Sequence, residues 1–349
     1  MSAIRIDLYS DTMTKPSKAM RQAMADAEVG DEQKFEDPTV NLLQSTVSDL
    51  LGKEAALFLP SGTMASLISS AVHCRPGDEI LCDQTAHILN SEGAGASAIA
   101  GAVIRGLPGT HGVFSPDQFL AAIRPESRYQ PRTRMLSIEQ TANMAGGTVW
   151  PVHAITKLCS AARQRGLATH MDGARLFNAV VASGVAARDY AAGFDSVWID
   201  LSKGLGAPAG AVLAGSRDFI RMAWAWKQRL GGALRQAGIL AAAGLYALGN
   251  NIERLADDHA KAKQLARGLA QCAAVRVDPQ RVETNIVLID VSPSGRTAGQ
   301  ILERLLAAGL RLSQVSPTVL RAVTHLDISE DDISESIRIF REALASVSA

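Results

Sequence analysis

Residues 195–210 read DSVWIDLSKGLGAPAG. Val197 and Ile199 alternate with Trp198 and Asp200 in a short strand pattern, and Ser202-Lys203-Gly204 ends it abruptly. A lysine at the carboxyl end of a buried strand is out of place, because its ammonium is costly to desolvate and belongs on a solvated face. Two readings are open. Lys203 is a snorkelling lysine beside a turn, or it is an imine-forming lysine of the kind that carries pyridoxal phosphate on a Schiff base. Taken alone the residue favours the first. The rest of the chain favours the second.

Around this stretch the pattern alternates. Apolar runs predict strands at 55–59, 79–82, 102–107, 134–139, 167–171, 196–200 and 211–214, with helices between them at 63–72, 87–98, 115–123 and 153–165. Alternation of this kind predicts an α/β fold with a mainly parallel sheet covered on both faces. Ligands of such sheets bind beyond the carboxyl ends of the strands, where Lys203, Asp172 and Ser61-Gly62-Thr63 all fall. Upstream lie an extended piece at 4–9, a helix at 16–27, a turn-rich loop GDEQKFEDP at 30–38 and a helix at 39–51. Downstream, a long helical stretch at 239–269 leads to strands at 275–277, 284–291 and 319–324 and helices at 298–308 and 330–346, a small α+β domain. The expected division is a large domain over 1–245 and a small one over 246–349.

Composition narrows the class. Of 349 residues 47% are hydrophobic and 20% charged, as in a folded globular chain. Lys+Arg and Asp+Glu are both 35, a balance that gives no reason to expect nucleic acid or an anionic membrane as partner. The opening MSAIRIDLYSD lacks a secretory signal's apolar core, and no apolar run is long enough to span a bilayer. Cys74, Cys82, Cys159 and Cys272 are scattered without a CxxC, and no HExxH occurs, so no metal site is expected and reduced thiols in a cytoplasm are.

Several strand ends carry groups that suit an imine-forming lysine. Pro60-Ser61-Gly62-Thr63 lies between an apolar strand and an apolar helix, where backbone N–H groups make an anion site suited to phosphate; the plainer reading is a serine N-cap. Asp172, in Met171-Asp172-Gly173-Ala174-Arg175, is a buried carboxylate that needs a cation, either a protonated pyridine nitrogen or Arg175 itself. His87 follows the strand EILCD, placed to lie on a cofactor ring with Glu92 nearby, or simply to cap a helix. Ser10 and Arg321 are candidates for holding a substrate carboxylate.

The motifs occur in a fixed order: SDT at 10–12, EDPTVN at 36–41, GKEAALFLPSGTM at 52–64, HMDGARLFNA at 170–179, DSVWIDLSKGLGAPAG at 195–210, GGALRQAGILAAAG at 231–244, ETNIV at 283–287 and LRAVTH at 320–325. Together they closely resemble the low-specificity L-threonine aldolases, pyridoxal-phosphate enzymes of fold type I, the aspartate-aminotransferase-like fold. The resemblance runs from about residue 7 to 340. It implies that Lys203 bears the cofactor and that Asp172 pairs with the pyridine nitrogen. It further implies that Arg175 contacts the cofactor phenolate and the substrate carboxylate, that Ser61, Gly62, Thr63 and Ser202 bind the cofactor, and that His87 stacks on its ring. Ser10 and Arg321 would bind the substrate carboxylate, and His87 is the candidate base for the β-hydroxyl proton. The implied activity is reversible Cα–Cβ cleavage of an L-β-hydroxy-α-amino acid to glycine and an aldehyde. A homotetramer is also implied, with the 30–38 loop and residues 227–235 reaching a neighbouring subunit's site.

Two departures from the family pattern bear on substrate. Residues 139–143 read EQTAN where many members have ENTHN, so Ala142 replaces a histidine, and Lys34-Phe35 replace a Tyr-Gly pair. Both are expected to favour a larger or aromatic β-substituent, as in phenylserine. The competing readings are another fold-type-I enzyme, such as a β-eliminating lyase or transaminase, and a non-catalytic protein of the same fold.

Overall fold

The computed structural model describes residues 4–345, so residue 346 of the last expected helix lies outside them. A short strand, β1 (Ile6–Asp7), comes first. Seven strands then build one sheet: β2 (Ala55–Leu59), β3 (Asp78–Asp83), β4 (Val103–Leu107), β5 (Arg132–Glu139), β6 (Ala168–Gly173), β7 (Ser196–Asp200) and β8 (Ala211–Gly215). Their order is β2-β8-β7-β6-β5-β3-β4. Neighbours pair in parallel except β8, which runs against both β2 and β7. The mainly parallel sheet expected from the alternation is present, and it places the carboxyl ends of β2, β3, β5, β6 and β7 along one edge. β9 (Ile286–Asp290), β10 (Leu310–Arg311), β11 (Ser313–Ser316) and β12 (Val319–Val323) belong to the C-terminal part, where β9, β12 and β11 form an antiparallel sheet.

Two expected helices are broken. The stretch 87–98 divides into His87–Asn90 and Gly95–Ala98, because Gly93 and Ala94 both take left-handed backbone with φ of 58° and 55°. The stretch 239–269 divides into Gly238–Asn250 and Leu255–Leu269. At that break the side-chain amides of Asn250 and Asn251 bond to the carbonyls of Tyr246 and Leu205, competing with helix propagation. The expected strand at 275–277 is reduced to one bridge between Arg276 and Asp290.

The main apolar core lies on the sheet, with two smaller apolar clusters also packed on it. A second core joins Ile6 and Leu8 to Leu265, Ile289, Leu310 and Phe340. The N-terminal strand therefore packs with the C-terminal part, and β1 pairs in parallel with β10. The boundary expected at 245/246 falls inside the helix Gly238–Asn250, and the cores meet instead along Leu255–Leu269, which gives Leu255 to the first and Leu265 to the second. This closure brings residues 10–12 to the edge of the sheet where the strands end. No helix among the described residues is long and apolar enough to cross a membrane.

Candidate active site

Turns at the carboxyl ends of these strands enclose a cavity of about 230 Å³. Ser61, Gly62, Thr63, His87, Asp172, Arg175, Ser202 and Lys203 all line it, together with Thr12, Glu92, Glu139, Asn143, Ala174, Trp198 and Asp200.

Ser61 caps the helix Gly62–His73 through the N–H of Met64 and leaves those of Gly62 and Thr63 without a protein acceptor among the described residues. Gly62 is required by packing: a Cβ there would stand 2.4 Å from a ring carbon of Trp198. Asp172 sits opposite Glu139 in the parallel register of β6 and β5. One of its oxygens accepts from the N–H of Ala174. No lysine or arginine pairs with it among the described residues, and burial, reinforced by the Glu139 carboxylate, pushes its carboxyl up to about 7.

Glu139, itself raised by burial, accepts from two backbone N–H groups, of His87 at 2.9 Å and of Asn143 at 3.1 Å. His87 Nδ1 lies 2.9 Å from Glu92 Oε1, a bond that holds the imidazole above its ordinary pKa despite partial burial. One ligating atom each of His87, Glu92 and Asp172 lies within 4.8 Å of the others, so the imidazole stands beside the Asp172 carboxyl. Lys203 Nζ is 3.3 Å from Asp200 Oδ2.

Arg175 does not pair with Asp172. Its Nε and Nη2 donate to both oxygens of Asp11 at 2.7 and 2.6 Å, a fork buried on both sides. Burial alone would raise the Asp11 carboxyl, but Arg175 overrides it and holds the group well below the usual carboxylate range. Arg175 Nη1 has no partner among the described residues. Ser10 and Arg321 stand one step back. Ser10 Oγ accepts from the N–H of Thr12, and Arg321 Nη1 donates to Asn143 Oδ1 at 2.6 Å.

The chain is 41% identical to the low specificity L-threonine aldolase of Escherichia coli K12 over 341 residues, 97% of this chain and 99% of that protein. Residues 7–292 match the beta-eliminating lyase family. The chain belongs to the low-specificity L-threonine aldolases. It is a pyridoxal-phosphate-dependent carbon–carbon lyase. A solved threonine aldolase of Leishmania major has the same fold, with a TM-score of 0.83 at 18% identity, covering 97% of this chain and 99% of that one. A Thermus thermophilus aspartate aminotransferase double mutant gives 0.76 at 16% identity, covering 97% and 91%, which places this aldolase in fold type I.

The cavity fits the cofactor of this family. Two free N–H groups at the start of a helix suit a phosphate, and a buried carboxyl with no cation suits a protonated ring nitrogen.

Three residues of this aldolase took on roles that the sequence reading missed. Asp11, Glu139 and Asp200 each hold another group of the site in place. Glu139 and Asp200 carried a usable signal, since both are acids that end a strand on the same sheet edge as Asp172.

The two residues expected to enlarge the substrate space do not border the cavity. Phe35 is 62% exposed, with left-handed backbone, and packs edge-on against Trp224 at 5.6 Å. Ala142 is buried against the turn at Gly112, whose Cβ position would lie 2.5 Å from that of Ala142, so the turn fills the space a histidine would take. The 30–38 loop and the segment 227–235 pack on each other within one chain. Lys227 Nζ is bonded to Glu32 Oε2 at 2.8 Å with both side chains buried, and Arg235 pairs with Asp31.

Proposed function

We propose that this chain cleaves L-threonine and L-allo-threonine to glycine and acetaldehyde, with Lys203 as the cofactor-bearing lysine. The observation that carries the reading is the convergence of Lys203, Asp172, His87 and the Gly62–Thr63 helix start on one cavity. Gly62 and Thr63, with Ser61, would hold the phosphate and Asp172 would pair with the ring nitrogen, whereas Ser202 gives both its N–H and its hydroxyl to Asp200 and would border the group without donating to it. Bound there, pyridoxal phosphate supplies the sink for the electron pair left on Cα when Cα–Cβ breaks.

The protein's own groups do the rest. Arg175, fixed by Asp11, presents its remaining Nη1 to the substrate carboxylate, and Arg321 and Ser10 support the same end through Asn143 and Thr12. Holding the carboxylate selects which bond at Cα is offered for cleavage. Glu92 engages His87 Nδ1, so the Nε2 lone pair is left to take the β-hydroxyl proton. With Ala142 in place of a second histidine, His87 does this without help.

A short β-substituent fits best because the cavity is only about 230 Å³ and most residues lining it carry polar side chains, Trp198 being their one large apolar ring among the described residues. A phenyl ring would need a wall from outside the chain, and exposed Phe35 on Trp224 is a surface that a neighbouring subunit of a homotetramer would meet. The free, mostly buried cysteines fit a reducing cytoplasm.

Aldehyde release from L-threonine, L-allo-threonine and L-threo-phenylserine tests this. Faster acetaldehyde than benzaldehyde release is expected. Faster benzaldehyde release would overturn the polar-wall argument, and a keto acid in place of glycine would overturn the cleavage itself.

A further inference from the structure

Asp200 has no part in the cleavage described above, yet it borders both ends of the site. It closes β7, lines the cavity and is buried. Its Oδ1 accepts from the N–H and the hydroxyl of Ser202 at 2.7 and 2.8 Å, which fixes the carboxylate in place. That leaves Oδ2 to face Lys203 Nζ at 3.3 Å, the single acid paired with that amine among the described residues. Oδ2 also lies 3.3 Å from where a Cβ on Gly62 would stand, beside the helix start assigned to phosphate.

We propose that Asp200 is a positioning residue that receives Lys203 each time the substrate displaces it. The inference rests on Lys203 being the cofactor-bearing lysine. In the exchange, the substrate nitrogen enters as an ammonium and forms the carbon–nitrogen double bond that Lys203 gives up. The double bond is unprotonated before and after the exchange and all three of the ammonium's protons pass to Nζ, so atoms and charge balance and Lys203 departs as an ammonium. That cation emerges into a site where its side chain is 17% exposed, and a buried ammonium without a counter-ion is costly. The fixed Asp200 carboxylate supplies the counter-ion.

The consequence has opposite signs in two equilibria. Free lysine is a product when an amino acid displaces it and a reactant when the protein takes up cofactor. Removing the charge of Asp200 therefore weakens the first and strengthens the second, and relief of repulsion at the phosphate end acts in the second direction too.

The test uses the full-length protein and its Asp200→Asn variant. The holoenzyme is titrated with glycine by absorbance, and after cofactor removal the protein is titrated with pyridoxal phosphate. In Asp200→Asn the glycine Kd is expected to rise about threefold to tenfold and the cofactor Kd to fall about threefold or more, as a lost charge-assisted contact implies. An unchanged glycine Kd, or both affinities falling together as a merely structural role would give, overturns the proposal. If the asparagine variant does not fold, Asp200→Ser is read by the same two titrations. A Lys203→Ala control separates the two claims: an imine absorption band that persists in it refutes the reading of Lys203 instead.

Discussion

Replacing Asp11 with alanine leaves the Arg175 guanidinium buried, charged and without either of its forked bonds. Removing one partner of a buried pair costs about 3–5 kcal/mol, because the remaining charge has neither water nor a counter-ion. Asn285 Nδ2, 3.1 Å from Asp11 Oδ2, loses an acceptor as well, adding about 1 kcal/mol. The total is about 4–6 kcal/mol of unfolding free energy, to be read from urea denaturation of the full-length protein without added cofactor. Activity falls with it, since an unanchored Arg175 no longer presents Nη1 at a fixed place; misplacement on the scale of 1 Å costs about a hundredfold in kcat/KM. Asp11→Asn keeps the shape and one acceptor, so its loss is expected to be about half as large in free energy. The depressed carboxyl also gives a pH signature. A group whose folded pKa lies below its unfolded value contributes stability that is present above about pH 4 and is lost as pH falls further. The acid limb of the wild-type stability profile should therefore flatten in Asp11→Asn. A destabilisation below about 1 kcal/mol in Asp11→Ala, with kcat/KM unchanged, would refute the account of the fork.

Three further outcomes follow from the packing. Gly62→Ala drives a methyl into the Trp198 ring, so cofactor affinity and about 1–3 kcal/mol of stability should be lost, and adding Trp198→Leu should restore both; failure of the double variant to recover would separate the loss from this contact. Lys227→Ala strands Glu32 in the buried pair and should cost about 3–5 kcal/mol, whereas Lys227→Met with Glu32→Gln should cost less; equal losses would contradict the pair's part in tying the two loops together. His73, bonded to Ser196 Oγ at 2.8 Å, is pushed down to about 4 by burial, so it stays neutral when folded and charges when unfolded. Its contribution is present above about pH 6.5 and is lost as pH falls toward about 4, at about 1.4 kcal/mol per pH unit, and His73→Gln should remove that slope from the stability profile.

The strands were legible because each is an apolar run stopped by a turn residue, and 55–59 and 196–200 match to the residue. The breaks at Gly93-Ala94 and Asn250-Asn251 were missed although NSEG at 90–93 and GNN at 249–251 are helix-stopping types, because helical spacing resumes on the far side of each; backbone handedness and side-chain amides make the interruption. Of the site, Lys203, Asp172, His87 and the Ser61–Thr63 turn were readable from their places at strand ends, and the structure brings them to one cavity. Asp11 was not, since Arg175 lies 164 residues away and no spacing rule joins them. That Phe35 and Ala142 stand away from this cavity was not readable for a related reason. A departure from a family pattern shows that a side chain changed, but its distance from the cavity depends on turns such as that at Gly112, which a single sequence does not reveal.

The central claim is that Lys203 carries the cofactor, and reductive trapping tests it most directly. The holoenzyme is treated with borohydride, digested and mapped by mass spectrometry. The account predicts a pyridoxyl-phosphate adduct on the peptide bearing Lys203 and on no other. An adduct on Lys53 or Lys227, whose amines the structure commits to backbone carbonyls and to Glu32, or no adduct at all, would contradict it.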